Sequence, residues 1–333
     1  MKHILVTGGS GYVGSHVSKM LFEYGYFPVV FDMQAKARPW ASPYWPAVCG
    51  DINNKWSLVL LFEKYKFDAV IHLAASSEVG ASVTDPLRYY QNNVGGTAQI
   101  LNACKDYGVT KFIFSSTSSV YGEVDPTKLP TKEDHIKTPV TSYGSSKWAV
   151  ENMLRDVDVA YGIRSVSLRY FNASGAAPDG SIGEVRTKPS HLIPSIQHVV
   201  NGKVDQFQIN GNDYPTKDGT AVRDFTHVWD IALAHIKALE YLDKDGKTDS
   251  VNIGAGSGKS VLEIFTEYQT QLGRTIPYKI ASRRPGDIPM NFADITKAKS
   301  VLGWEPVMSD CTSIVRDAVQ WYSSDLYTDV LNA

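Results

Sequence analysis

Residues 7–14 read Thr7-Gly8-Gly9-Ser10-Gly11-Tyr12-Val13-Gly14, directly after the apolar run His3–Val6. Gly8, Gly11 and Gly14 recur at three-residue spacing. Glycine permits a tight turn out of a strand. It also lets backbone N–H groups approach an anion at the next helix start, where the dipole favours negative charge. Alone, such a cluster is an ordinary strand–helix turn, so its meaning depends on the neighbouring elements. Val13, Val17, Met20 and Leu21 repeat at helical spacing and predict a helix over 12–25. A second apolar run, Phe27–Phe31, ends at Asp32. A carboxylate there accepts both ribose hydroxyls of a dinucleotide and repels a 2'-phosphate. Lys36 and Arg38, just beyond, would favour that phosphate. The carboxylate is the more direct contact, so NAD is the expected cofactor. Ala47–Cys49 reads as a third strand end, placing Asp51 and Ile52 beside the adenine; a solvated strand-end acid is an equal reading of Asp51.

The alternation continues. Residues 55–66 read as a helix, 68–73 as a strand followed by Ala74 and Ala75, and Pro86–Tyr107 as one helix with proline near its start. A strand at 111–115, a helix at 143–161 and a strand at 164–169 complete the series. Repeated strand–helix units imply a parallel sheet covered on both faces. The fold class is therefore α/β, a Rossmann-type doubly wound parallel sheet. From about 171 the texture changes: Asn172–Pro189 is rich in Gly, Ala, Pro and Ser, and 211–219 is rich in glycine. Helices are expected near 191–201, 229–242, 260–272 and 310–322, with a strand near 206–209. This predicts a dinucleotide-binding domain at 1–170 and a smaller mixed α/β substrate region at 171–333. The chain is expected to re-enter the first domain near 220–255. No clean linker separates the parts, so a shared cleft is expected.

The 333 residues carry 33 Lys and Arg against 35 Asp and Glu, a net charge of -2. That balance leaves no electrostatic footprint for nucleic acid or an anionic membrane. Cys49, Cys104 and Cys311 lack CxxC spacing, so reduced packing cysteines are expected and no metal site. The N-terminal apolar run is too short for a signal peptide, and no window approaches a membrane span. A cytoplasmic location is the default expectation.

Tyr143-Gly144-Ser145-Ser146-Lys147 is a YxxxK motif opening a helix, and a spacing of four puts both side chains on one face. A free phenol has a pKa of about 10, so only about 0.1% is phenolate at neutral pH. An adjacent ammonium is expected to lower it, as would a cationic nicotinamide. The pair would then take a hydroxyl proton while hydride leaves the same carbon. Ser115-Ser116-Thr117 follows the preceding strand and offers a hydroxyl to the reacting oxygen; Thr117 is preferred, with Ser116 its rival.

The stretches TGGSGYVGSH, HLAA, YYQNNVGGT, FSSTSSVYG, SYGSSK, LRYFNASGA, GNDYPTKDGTAVRDFTHV and RRPGDIP span nearly the whole chain. Together they resemble the UDP-glucose 4-epimerases, a family of extended short-chain dehydrogenase/reductases. The resemblance implies an isomerase of carbohydrate metabolism that interconverts UDP-galactose and UDP-glucose. It would oxidise C4 reversibly through a 4-keto sugar, with tightly held NAD and a homodimer built on the helices at 86–107 and 143–161. Tyr143 would act as base and then acid, and Lys147 would also hold the nicotinamide ribose. Gly8, Gly11, Tyr12, Val13, Asp32, Asp51, Ile52, Leu73, Ala74, Asn92, Lys147 and Phe171 would contact NAD. Asn172, Leu192, Arg223, Arg284 and Asp287 would contact UDP. Arg223 and Arg284 suit diphosphate oxygens, and Asp287 suits ribose hydroxyls. A plain ion pair of Arg223 with Asp224 is the alternative for that arginine.

The sequence departs from the family pattern in the short, atypical loop between Asp32 and Asp51 and at three single positions. Ser77 stands where a cofactor-reaching lysine is frequent, and His191 where an asparagine precedes Leu192. Asn291 stands where a tyrosine or a small residue separates plain from N-acetylated hexoses. UDP-arabinose/UDP-xylose and UDP-N-acetylhexosamine are therefore alternative substrates. Related dehydratases place carboxylates just after the active-site threonine. Here Thr117-Ser118-Ser119 has none and Glu123 is removed by several residues, which points to oxidation and re-reduction without elimination. A non-catalytic NAD-sensing module would be marked by loss of Tyr143 or Lys147, and both are present.

Overall fold

The computed structural model describes residues 1–35, 44–186, 188–284 and 287–332. Its apolar runs lie side by side as a seven-stranded parallel sheet. The spatial order is Asp249–Ile253, Arg164–Tyr170, Lys111–Thr117, Ala69–His72, His3–Thr7, Phe27–Asp32, Ala47–Cys49. Val29, Val30, Val70 and Ile71 are fully buried because helices cover both faces, which is why these strands read as continuous apolar runs. One face packs Val17 and Leu21 with Ile231 and Leu239; the other packs Leu61 with Ile100 and Leu154. A third cluster, with Ile264, Phe265 and Trp321, holds the C-terminal region. The strand order reverses between His3–Thr7 and Ala69–His72, the crevice where sheets of this kind take ligands.

The helix expected at 143–161 spans Ser142–Tyr161. Thr141 caps its start by accepting from Gly144 N (3.3 Å), and Gly162 ends it at φ 68°. The helix expected unbroken over Pro86–Tyr107 is corrected. It is α-helical over Pro86–Tyr89 and Gly96–Tyr107, with a wide π-helical stretch, Tyr90–Gly95, between. The stretch ends at Gly95 and Gly96, and Gly96 packs so closely that a Cβ there would meet Ile52 at 2.5 Å. Such wide turns are frequent at functional sites.

Three further features depart from expectation. Asp249–Ile253 joins the main sheet beside Arg164–Tyr170, although its polar sequence gave no strand signal. The Asp325–Asn332 helix was not foreseen, nor were the strands of two to four residues at 172–174, 222–223, 225–227, 259–260, 278–281 and 290–291. Cys49 is exposed rather than packed, whereas Cys104 is buried, and all three cysteines are free. Among the described residues there is no cluster of metal-ligating side chains, and no helix is long and apolar enough to cross a membrane.

Candidate active site

The glycine turn is closely built. Gly8 sits at φ 72°, with its N–H donated to Phe31 O (2.9 Å), and Gly11 N donates to Gly8 O (3.0 Å). A Cβ on Gly8 would lie 2.6 Å from Ala74 N, and one on Gly14 would lie 2.2 Å from Gly8 O. The Tyr12–Glu23 helix starts from Gly11 without a side-chain cap, so its first N–H groups face the turn. Asp32 accepts from Ser10 N (3.1 Å) and Gln34 N (2.8 Å), which fixes its carboxylate beside that turn. This cradle of bare backbone with an acid at its side fits a dinucleotide. Lys36 and Arg38 lie outside the described residues.

The other expected cofactor contacts group around the same crevice. Ala74 N approaches Thr7 Oγ1 (3.4 Å) and Leu73 N donates to Thr7 O (3.0 Å). Asp51 accepts from Asn53 N (2.9 Å), and Asn53 Nδ2 donates to Asn92 Oδ1 (3.1 Å), joining the 51–54 turn to the π-helical stretch. Ile52 is buried. Tyr12 donates its hydroxyl to Gly175 O (2.7 Å), while Val13 packs against the core. Phe171 is half-buried at the end of Arg164–Tyr170, and Asn172 beside it is exposed.

At the chemical end, Lys147 is buried and donates to Ser115 O (2.7 Å), with its Nζ 4.7 Å from the Phe114 ring centroid and 6.0 Å from that of Tyr143. Thr117 neighbours the Tyr143 phenol, while its own hydroxyl donates to Ser119 Oγ (3.2 Å). The rival hydroxyl, Ser116, instead donates to the buried Glu151 (2.5 Å). The expected lowering of the phenol is corrected. Burial pushes Tyr143 up to about 12, with the neighbouring Thr117 hydroxyl opposing and Tyr89 reinforcing. Burial brings Lys147 down to about 7, with Glu151 opposing. Desolvation dominates at both groups, so the phenol needs a cation placed beside it to work as a base.

Several supporting residues were not foreseen. Asn93, in the π-helical stretch, accepts from Ser76 N (2.8 Å) and donates to Ser146 Oγ (3.0 Å), fixing the catalytic helix. Tyr89 meets Tyr143 edge to face at 6.5 Å. Glu151 was visible as a residue four beyond Lys147, on the same helix face.

Of the residues assigned to UDP, Arg223 pairs with Asp287, which Tyr214 also approaches (3.4 Å). Arg223 does not pair with Asp224. That acid is buried and accepts from Ala255 N (2.6 Å), Ala293 N (3.1 Å) and Thr226 Oγ1 (3.0 Å). Asn210, with its amide oxygen turned toward Arg284, accepts from Nε (3.1 Å) and Nη2 (3.2 Å). His191 precedes the Leu192–Val200 helix and contacts Glu184 (2.9 Å). Leu192 opens that helix at the rim of the C-terminal core. Asn291 lies in register with Arg223 on a short three-stranded sheet, and Thr131 donates to its Oδ1 (3.4 Å). Ser77 and Glu123 are exposed.

A family model, the NAD dependent epimerase/dehydratase family, matches residues 4–254. The chain belongs to that family. Across the epimerase/dehydratase family it is similar to the UDP-glucose 4-epimerase of Lacticaseibacillus casei. That protein is 43% identical over 322 residues, covering 96% of this chain and 97% of the relative. The UDP-glucose 4-epimerase from Brucella ovis, solved in complex with NAD, superposes with a TM-score of 0.92 at 42% identity, covering 97% of this chain and 99% of that one. The enzyme from Stenotrophomonas maltophila, solved with NAD and formylated UDP-arabinopyranose, gives 0.91 at 36% identity, covering 97% and 98%. With the parallel sheet already described, these likenesses place this family member among NAD-type Rossmann folds.

Proposed function

We propose that the protein is an NAD-dependent 4-epimerase that interconverts UDP-galactose and UDP-glucose. The carrying observation is the Tyr143 phenol beside Thr117, with the buried Lys147 Nζ 6.0 Å from its ring centroid and serines at 118 and 119 where elimination would need acids. Tyr143 takes the proton of the sugar 4-hydroxyl and later returns it to the 4-keto sugar; Thr117 orients that oxygen. Bound in this cradle, NAD would supply the acceptor and donor of the C4 hydride and a positive charge that favours the phenolate. Lys147 holds the nicotinamide ribose and adds its positive charge below Tyr143. Gly8, Gly11, Tyr12, Val13, Asp32, Asp51, Ile52, Leu73, Ala74, Asn92 and Phe171 line the dinucleotide. Asn172, His191, Leu192, Arg223, Arg284 and Asp287 hold UDP, and Asn291 faces the sugar. Arg223 and Asp287 exchange their mutual ion pair for diphosphate and ribose contacts.

The division of labour follows the chain: 1–170, with the re-entrant helix and strand at 228–253, binds the cofactor, and the rest of 171–333 binds the UDP-sugar. Exposed Leu87 and Tyr90 in the Pro86–Gly95 stretch and exposed Val159 near the end of the Ser142–Tyr161 helix support a homodimer; a monomer by light scattering ends that part of the proposal. Asn291, neither bulky nor small, favours keeping a UDP-pentose or UDP-N-acetylhexosamine as the second reading. Purified protein incubated separately with UDP-galactose, UDP-xylose and UDP-N-acetylgalactosamine, with no cofactor added, is followed by NMR. Formation of UDP-glucose supports the proposal, and absence of any epimer in all three removes it.

A further inference from the structure

Behind the reactive face lies a continuous chain of buried polar groups that the proposed chemistry does not use. It begins one helical turn beyond Lys147. There Glu151 accepts from Ser116 Oγ (2.5 Å), from Arg169 through Nε (3.0 Å) and Nη2 (2.6 Å), and from Ser250 Oγ (3.0 Å). With both oxygens occupied, the carboxylate is tied to the sheet and forms no ion pair with Lys147. Arg169 passes the chain on, donating from Nη1 to the Tyr121 hydroxyl (2.8 Å) and to Glu133 O (3.3 Å). Tyr121 in turn donates to Asn252 Oδ1 (2.6 Å). Asn252 donates from Nδ2 to Thr131 O (2.9 Å) and from its backbone N to the Glu133 carboxylate (2.9 Å). Thr131 then bonds the sugar-side segment three ways. Its N–H goes to Phe292 O (2.9 Å), its carbonyl takes Asp294 N (2.8 Å), and its hydroxyl goes to Asn291 (3.4 Å).

Glu151, Arg169, Tyr121, Asn252 and Thr131 are all buried. A buried network with every member satisfied is rigid, and cutting it in the middle is felt at both ends. Tyr121 has a particular place in it. It closes the short 3-10 turn Ser118–Tyr121 that Thr117 caps by accepting from Ser119 N (3.1 Å). Its hydroxyl therefore joins three parts: the turn that sets Thr117, the helix that carries Tyr143 and Lys147, and the strand that carries Asn291. The phenol ring is also covered by the Arg169 guanidinium at 5.1 Å, so Phe in its place keeps the packing and loses only the bridge.

Resting on the epimerase reading above, we propose that Tyr121 is a positioning residue whose buried hydroxyl couples the Tyr143–Lys147 helix to the Asn291 wall of the sugar pocket. The test is a double-mutant cycle with Tyr121→Phe, which cuts the chain at its centre, and Thr131→Val, which removes its one side-chain bond to Asn291 and leaves the backbone bonds of Thr131 in place. For wild type and each variant, kcat and KM for UDP-galactose, UDP affinity, dinucleotide content and melting temperature are measured. Tyr121→Phe is expected to lower kcat about tenfold, the scale of one lost buried hydrogen bond, and to weaken UDP-galactose but not UDP. Thr131→Val is expected to lower kcat as well, although its hydroxyl touches only the sugar side. The double variant is expected to lose little beyond Tyr121→Phe alone, because the Thr131 hydroxyl reaches the Tyr143–Lys147 helix only through the bridge that Tyr121→Phe has already removed. Losses that multiply, or equal weakening of UDP and UDP-galactose, overturn the coupling. If Tyr121→Phe does not fold, an unchanged kcat in Thr131→Val overturns it. Failure of the functional reading is separate: it shows as wild-type protein that epimerises no UDP-sugar.

Discussion

Tyr143→Phe removes one oxygen atom from the centre of the proposed chemistry, and the geometry sets the size of the effect. The fold should tolerate the change. Thr117 keeps its bonds to Ser119 N (3.1 Å) and Ser119 Oγ (3.2 Å), and the ring keeps its edge-to-face contact with Tyr89. No buried polar group is orphaned, so the stability cost should stay below about 1.5 kcal/mol. Turnover is another matter. With the hydroxyl pushed up to about 12, only about one phenol in 100,000 is ionised at neutral pH unless a cation is placed beside it. The group is thus a strong base used only inside the loaded site, and Phe supplies none. General acid–base catalysis contributes about 100-fold to 10,000-fold, or about 3–5 kcal/mol of barrier, and kcat should fall by that amount. The assay follows conversion of UDP-galactose to UDP-glucose by NMR, with dinucleotide content read from the absorbance of denatured protein. Near-normal turnover with full NAD content would refute the role given to Tyr143.

Three further outcomes are expected. Asp32→Ala should weaken NAD by roughly 10- to 100-fold and narrow its preference over NADP, as seen by fluorescence titration; unchanged discrimination points to another reader of the ribose. Gly14→Ala drives a Cβ to 2.2 Å from Gly8 O, so it should cost about 1–3 kcal/mol and empty the site of dinucleotide; an unaltered melting temperature and cofactor content contradict this. Lys147 is brought from its ordinary 10.5 down to about 7 by burial. Between those values the unfolded chain holds a proton the folded one lacks, so stability rises with pH across that window. Lys147→Met should therefore raise the melting temperature of dinucleotide-stripped protein at neutral pH, and raise it less near pH 10. A gain that grows toward alkaline pH contradicts the assignment.

The main sheet was legible because its strands are buried on both faces and read as apolar runs punctuated by helices. Asp249–Ile253 escaped for a specific reason. Its alternation, Ser250-Val251-Asn252-Ile253, lasts only four residues, too few to stand out, and its polar positions are matched by buried partners, Ser250 to Glu151 and Asn252 to Tyr121. Strands of two or three residues, such as Val222–Arg223, are too short to show any period. The Tyr143–Lys147 spacing marked the catalytic helix, but spacing reports charge and not burial. Counting the lysine's attraction without the desolvation of both groups gave the wrong direction for the phenol. The ion pair of Arg223 and Asp287 joins residues 64 positions apart, a closeness that only the folded chain creates.

Arg223 and Asn291 share one rung of the three-stranded sheet. On the proposed reading, backbone adjacency would bind two tasks together, gripping the charged half of the ligand and measuring the bulk of its sugar. Any shift of the strand that enlarged the room at 291 would drag the guanidinium off its anion. Descendants of this protein seeking a new sugar are thus confined to exchanging the side chain at 291 on an immobile ledge. Acceptance of a different hexose should then come in single substitutions, with the hold on UDP left intact.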